Sequence, residues 1–183
     1  PSEISNIGCG GCPLGGHGWG ATDKLEMQKT VEDCVANGIN FIDTSDIYGL
    51  GESEILISKA IENKKRDEFF ISTKIGRLIV DTNKSKTAEK FIGSPIDKDS
   101  EFDFSYDGAL KSFEESLSRL GLDKIDILYL HDPDNHPDHF NEAKKGAVKA
   151  MIKLRDEGVI KAIGCGMNQN EMLLDLAKLG CFD

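Results

Sequence analysis

Short apolar runs alternate with helical segments that stop at glycine, almost from end to end of this 183-residue chain. Few architectures accept such a pattern. A strand-like piece at Ile7-Gly8-Cys9-Gly10 enters a glycine-rich turn. A helix follows over 23–37, opened by Asp23 and Glu26 as a capping box and closed by Gly38 as a left-handed cap. Its apolar face reads as Leu25, Val31, Cys34 and Val35. Further strands are expected over 39–42, 69–73, 125–130 and 159–165. The other helices are expected over 52–63, 105–120 with Ser105 as N-cap and Gly121 at its end, 141–157 before Gly158, and 170–179 before Gly180. Cys181-Phe182-Asp183 starts another apolar run.

Strict succession of strand and helix predicts a parallel sheet with crossover helices. The stretch 75–104 interrupts it as a long loop carrying Asp97, Asp99, Glu101 and Asp103; loops of that length are usually functional or mobile. Two α/β architectures compete. A doubly wound open sheet wants a phosphate-binding glycine fingerprint between the first strand and first helix. Gly8-Cys9-Gly10-Gly11 stands too early for it, with Pro13 next and the helix well beyond. A (β/α)8 TIM barrel instead collects polar chemistry at the C-terminal ends of several strands. The chain offers that.

The balance of 22 Lys and Arg against 32 Asp and Glu, a net charge of −10, works against nucleic acid or an anionic membrane as partner, since both reward clustered cations. No stretch approaches the ~18 consecutive apolar residues of a membrane span. Five scattered cysteines and the absence of a basic-then-apolar opening point to a reduced, cytoplasmic protein. Cys9 and Cys12 have CxxC spacing, but with no helix N-terminus and no second ligand pair beside them a structural turn is expected. His131, Asp132, Asp134, His136 and His139 can be drawn as a metal cluster, yet Pro133 and Pro137 mark a turn-rich loop and no metal site is expected.

The strand ends carry the chemistry. The second closes on Asp43 with Tyr48 just after it, the third on Lys74, the fourth on His131, and the fifth leads into Gly166-Met167-Asn168-Gln169. On one barrel rim a carboxylate, a phenol, an ammonium and an imidazole would converge. A free phenol, with a pKa of about 10, is a poor acid or base near neutrality, and a neighbouring ammonium lowers it. Asp43 would hold Lys74, and His131 could donate a hydrogen bond to the same substrate oxygen. Such a set suits proton transfer at an oxygen while hydride moves at its carbon, which implies a nicotinamide carrier. Trp19, just past the first strand, is a candidate aromatic wall for a substrate on that rim.

The segments FIDTSDIYG, STKIG, LHDPD and GCGMNQ resemble the aldo-keto reductase superfamily. The resemblance implies that Asp43, Tyr48, Lys74 and His131 form a catalytic tetrad on an NAD(P)-binding barrel. It places Asn168, with Gln169 beside it, at the nicotinamide carboxamide, and Gly11 and Cys12 near the cofactor. Met167 stands where many members carry Ser. The stretch from IGRL to LHDPD is most similar to the D-threo-aldose 1-dehydrogenase group, implying oxidation of an aldose at C1 to a lactone with NAD or NADP. Alternatives are an NADPH-dependent aldehyde reductase and a non-catalytic binding subunit; in either enzyme the partner is a small sugar or aldehyde. Such barrels have eight strands and typically ~250 residues. Five strands and the start of a sixth therefore imply an incomplete barrel, with 1–183 as one partial domain truncated at both ends and poorly stable at its open edges.

Overall fold

A computed structural model describes residues 3–16 and 23–183. In chain order its elements are β1 (Gly8–Gly10), α1 (Lys24–Ala36), β2 (Phe41–Asp43), α2 (Glu52–Ile61), β3 (Phe70–Ile75), β4 (Arg77–Asp81), β5 (Lys98–Phe102), α3 (Tyr106–Leu120), β6 (Ile127–His131), α4 (Pro137–Lys145), α5 (Ala147–Asp156), β7 (Ala162–Gly166) and α6 (Asn170–Ala177). The main sheet runs β1-β2-β3-β6-β7 with every pairing parallel. Its strands follow chain order without a reversal. A doubly wound sheet requires a switch point; this one is wound in a single direction, as the staves of a barrel are. After α6 the chain returns alongside β7, where the Asp183 N–H donates to the Ile163 carbonyl (3.1 Å).

Local chemistry sets the element ends. The Asp23 carboxylate accepts from the N–H groups of Leu25 and Glu26 (2.8 and 3.2 Å), capping α1. Gly38, at φ +86°, turns the chain so that the Ile39 N–H closes on the Cys34 carbonyl (2.9 Å). The buried face of α1 is carried by Met27 and Val31 rather than by Leu25, which is 76% exposed. Two residues are about 200° of helical turn, so Leu25 and Met27 point to opposite sides. Ser105 caps α3 by accepting from the Gly108 N–H (3.0 Å), and Gly121 ends it in the left-handed region.

Two expectations are corrected. The stretch 75–104 is not an unstructured loop: β4 and β5 pair antiparallel as a separate two-stranded sheet, from Arg77 opposite Phe102 to Asp81 opposite Lys98. The helix expected over 141–157 is two helices, α4 and α5, which part at Gly146. A Cβ at Gly146 would stand 2.7 Å from both the Phe104 carbonyl oxygen and the Tyr106 nitrogen. Close approach of two backbones selects the glycine and breaks the helix there. The ladders also begin later than the apolar runs, because Phe69, Ile125 and Ile160 are buried on the approach to the sheet but lie before its strands.

Alternation along the strands separates two faces. Ile42, Ile71, Ile75, Leu128 and Leu130 share one and are fully buried. Thr73 lies on the same side and donates to Glu54 of α2 (2.6 Å), which marks it as the helix side. Asp43, Ser72, Lys74, Tyr129 and His131 occupy the other. At the N-terminal end of the sheet, buried Asp126 receives Arg66 (2.6 Å), Lys161 (2.7 Å) and the Ile71 N–H (2.9 Å). Among the described residues no helix is long and apolar enough to cross a membrane.

Candidate active site

Register brings the first three groups together. Asp43 of β2 lies opposite Ser72 of β3, and Lys74 follows two residues later on the same face. The Lys74 Nζ donates to the Asp43 carboxylate (2.8 Å) and to the Thr44 carbonyl (2.6 Å). Ser72 Oγ donates to the other Asp43 oxygen (2.7 Å). Both oxygens of that carboxylate are thereby held, and it holds the ammonium in turn.

Tyr48 arrives from the turn after β2. Gly49, Leu50 and Gly51 follow it with φ of 63°, 54° and 90°. A left-handed leucine between two such glycines is a strained arrangement, of the kind that concentrates at functional sites. The Lys74 Nζ lies 4.8 Å from the centre of the Tyr48 ring. His131, at the end of β6, meets that ring edge-on, with centroids 6.1 Å apart and planes at 87°. Phe91, from the segment between β4 and β5, lies against the Tyr48 ring at 6.4 Å. The four side chains expected to converge do so.

The electrostatics differ from the sequence expectation. Burial pushes the Tyr48 phenol well above its ordinary value, and the carboxylates of Asp43, Asp132 and Asp46 and the Cys12 thiol push it the same way. The Lys74 ammonium, engaged by Asp43 and the Thr44 carbonyl, does not offset that rise. Burial, followed by the positive charges of Arg77 and Lys74, holds His131 well below the ordinary imidazole value. It is a neutral ring at neutral pH. Burial raises Asp132 despite Arg77, whose Nη2 lies 3.1 Å from Asp132 Oδ2.

The remaining expected residues distribute around this centre. The Gly11 N–H donates to the Asp43 carbonyl (2.6 Å), and a Cβ there would meet that oxygen and Ser53 Oγ, both at 2.7 Å. Only glycine fits. Cys12 is half-buried within the electrostatic reach of Lys74 and Asp43, its thiol raised chiefly by burial. Cys9, buried against Cys34, is raised to about 12. Asn168 and Gln169 are exposed at the rim, where both backbone N–H groups donate to Asp134 Oδ2 (2.6 Å each). An exposed side-chain amide so anchored has the donor and acceptor needed by a nicotinamide carboxamide. Trp19 lies outside the described residues.

Sequence reasoning missed the supporting polar residues: Ser45, Asp46, Ser72, Arg77 and Asp134. Each reads locally as an ordinary turn or strand residue. The available signal was their position, within two or three residues of a strand end already singled out.

A family model described as the aldo/keto reductase family matches residues 6–179. The chain belongs to that family. This aldo/keto reductase chain is 41% identical over 140 residues to D-threo-aldose 1-dehydrogenase of Pseudomonas sp, covering 74% of the chain and 42% of that protein. It is 31% identical over 188 residues to pyridoxal 4-dehydrogenase of Microbacterium luteolum, covering 94% and 54%. Among solved structures, glycerol dehydrogenase from Gluconobacter oxydans superimposes with a TM-score of 0.72 at 26% identity, over 96% of this chain and 48% of that one. The chain therefore spans about half the length of the relatives it matches, and an incomplete barrel accounts for its five parallel strands.

Proposed function

We propose that this aldo/keto reductase chain carries the proton-transfer half of an NAD(P)-dependent aldose dehydrogenase, oxidising a sugar hemiacetal at C1 to a lactone. One observation carries the reading. A buried ammonium is fixed by a carboxylate and a carbonyl 4.8 Å from the centre of a tyrosine ring that an imidazole also meets. In this reading Tyr48 acts as the phenolate and receives the proton of the anomeric hydroxyl, Lys74 supplies positive charge beside it, Asp43 holds Lys74, and His131 orients the same substrate oxygen. A bound nicotinamide supplies the hydride acceptor. Asn168 and Gln169 would hold its carboxamide, with Gly11 and Cys12 lining the same rim. The likeness to D-threo-aldose 1-dehydrogenase supports a sugar as the substrate. Five free thiols suit a cytoplasmic setting.

A second reading draws on the raised phenol. A Tyr48 that keeps its proton at neutral pH is equipped as an acid, as reduction of an aldehyde with NADPH requires. Initial rates of the complete gene product with L-fucose plus NAD, set against an aldehyde plus NADPH, separate the two directions. For either direction Tyr48→Phe should abolish turnover and leave NAD(P)H binding, followed by nicotinamide fluorescence, nearly unchanged. Retained turnover would remove Tyr48 from the chemistry.

A further inference from the structure

The turn after β6 does more than deliver His131 to the rim. Asp132 takes a left-handed backbone there (φ 46°), a conformation few residues with side chains adopt, and Pro133 after it is buried. The Asp132 N–H donates to the Gly166 carbonyl (2.8 Å), continuing the β6–β7 pairing beyond His131. Half-buried Asp134, on the single helical turn Pro133–Asn135, reaches across to the connection between β7 and α6. Its Oδ2 accepts from the N–H groups of Asn168 and Gln169, at 2.6 Å each. Asn168 Nδ2 lies 3.5 Å from Asp132 Oδ1. From these contacts we infer that Asp134 is a positioning residue that sets the affinity for the nicotinamide end of the cofactor, by fixing the backbone from which Asn168 and Gln169 project. The inference rests on the proposed assignment of the carboxamide to those two residues.

The bonding pattern differs from that of a helix cap. A capping side chain accepts from the second or third residue inside its helix. Asn168 and Gln169 both precede α6, which starts at Asn170, so the Asp134 carboxylate holds the connection rather than the helix. Gln169 supplies no side-chain cap of its own. Both bonds end on one carboxylate oxygen, and charge-assisted bonds of this length are the strong kind. They fix two successive peptide groups at once. The side chains of Asn168 and Gln169 are exposed, and apart from the 3.5 Å approach to Asp132 no hydrogen bond holds either amide among the described residues. Their aim follows the backbone, whose N–H groups at both positions are held by Asp134.

An amide already held in place loses little freedom when a ligand arrives. Freeing one side chain of this kind weakens binding by about tenfold. The same turn begins with His131, so the residue that orients the reacting oxygen and the residue that steadies the carboxamide holders share one short segment of chain.

The test compares two probes on the complete gene product by titration calorimetry. One is NADH or NADPH, whichever binds more tightly; the other is ADP-ribose (2′-phosphorylated if NADPH is preferred), which lacks the nicotinamide. Asp134→Ala should weaken the dinucleotide about tenfold and leave ADP-ribose unchanged. Asp134→Asn keeps an oxygen able to accept from both N–H groups and should bind the dinucleotide within about threefold of the parent. Equal weakening of both probes by Asp134→Ala would overturn the inference, since a support of the fold alone would act on both. Asn168→Ala keeps two failures apart. Dinucleotide affinity lost in Asn168→Ala but kept in Asp134→Ala overturns the positioning role alone; affinity kept in both overturns the carboxamide assignment with it. None of these readings depends on turnover.

Discussion

The two faces of the parallel sheet are built from the same five strands and obey different rules. On the helix side, Ile42, Ile71, Ile75, Leu128 and Leu130 are fully buried on the face that α3 and α5 cover. On the other, Asp43 is hydrogen-bonded to Ser72 and Lys74, His131 meets the Tyr48 ring edge-on, and Phe41, Phe70 and Tyr129 are only half-buried. Burial of apolar area, at roughly 25 cal/mol per Å2, stabilises the first face. The second spends burial on charge, which stabilises little unless every partner is in place. A single strand thus carries stability and chemistry on alternate residues. The two can be separated by substitutions one position apart.

The largest expected separation comes from Tyr48→Phe. Removing a general acid–base group lowers kcat by about 10²–10⁴-fold, roughly 3–5 kcal/mol of barrier. Among the described residues the Tyr48 hydroxyl makes no hydrogen bond to a strand or helix, so the urea midpoint should stay within experimental error of the parent. A large fall in that midpoint would show that the polar face also holds the fold. Leu128→Ala tests the converse. It deletes a side chain with no exposed surface and should cost about 2–5 kcal/mol of unfolding free energy. The Michaelis constant of the molecules that remain folded should be little changed; a site that collapses with it would join the faces that the strand alternation separates.

Asp46 lies where the two faces meet, linked to His131 through Ser45 and to α3 through Ser112. Burial raises its carboxyl from 3.8 to about 6, with repulsion from Glu54 adding to the effect. Because the folded value lies above the unfolded one, the protonated group favours the fold fully below about pH 4, and this contribution is lost as pH rises through 6. At 1.36 kcal/mol per pKa unit the loss is about 3 kcal/mol. Asp46→Asn cannot ionise, so its stability relative to the parent should improve by about that much between pH 4 and pH 7.5 in matched urea titrations. A pH-independent difference would mean that Asp46 is not the strained carboxylate. The smallest expected effect is Asp23→Ala, far from both faces, which removes the α1 cap and should cost about 1 kcal/mol with turnover unaffected.

These contrasts also explain what the sequence disclosed. Asp43, Tyr48, Lys74 and His131 were legible because strand ends on a parallel sheet share one rim, whatever the details of packing. Asp23, Ser105 and Gly121 were legible because caps are local chemistry. Leu25 is apolar yet exposed, because its angle on α1, about 200° from Met27, turns it away from the core. The break at Gly146 depends on the backbone of Phe104 and Tyr106 pressing against it, a contact distant in sequence. β5 was missed because Lys98-Asp99-Ser100-Glu101-Phe102 has neither an apolar run nor clean alternation, and it pairs with β4 across a connection much longer than a tight turn. Ser45 and Asp46 gave no signal of their own; Ser45 meets His131 from 86 residues away.

The β4–β5 hairpin closes on itself. It forms no ladder with the parallel sheet, and its base is fastened where the Asp103 N–H meets the Gly76 carbonyl (3.0 Å). Between those two residues the strands pair only with each other, while Arg77 reaches Asp132 (3.1 Å) and the Ile92 N–H donates to the Gly16 carbonyl (2.6 Å). Grafting a longer or shorter tip would re-cut the wall that Phe91 presents to Tyr48 while every parallel pairing kept its alignment, so evolution or an engineer could retune what enters the pocket without rebuilding the walls beneath it.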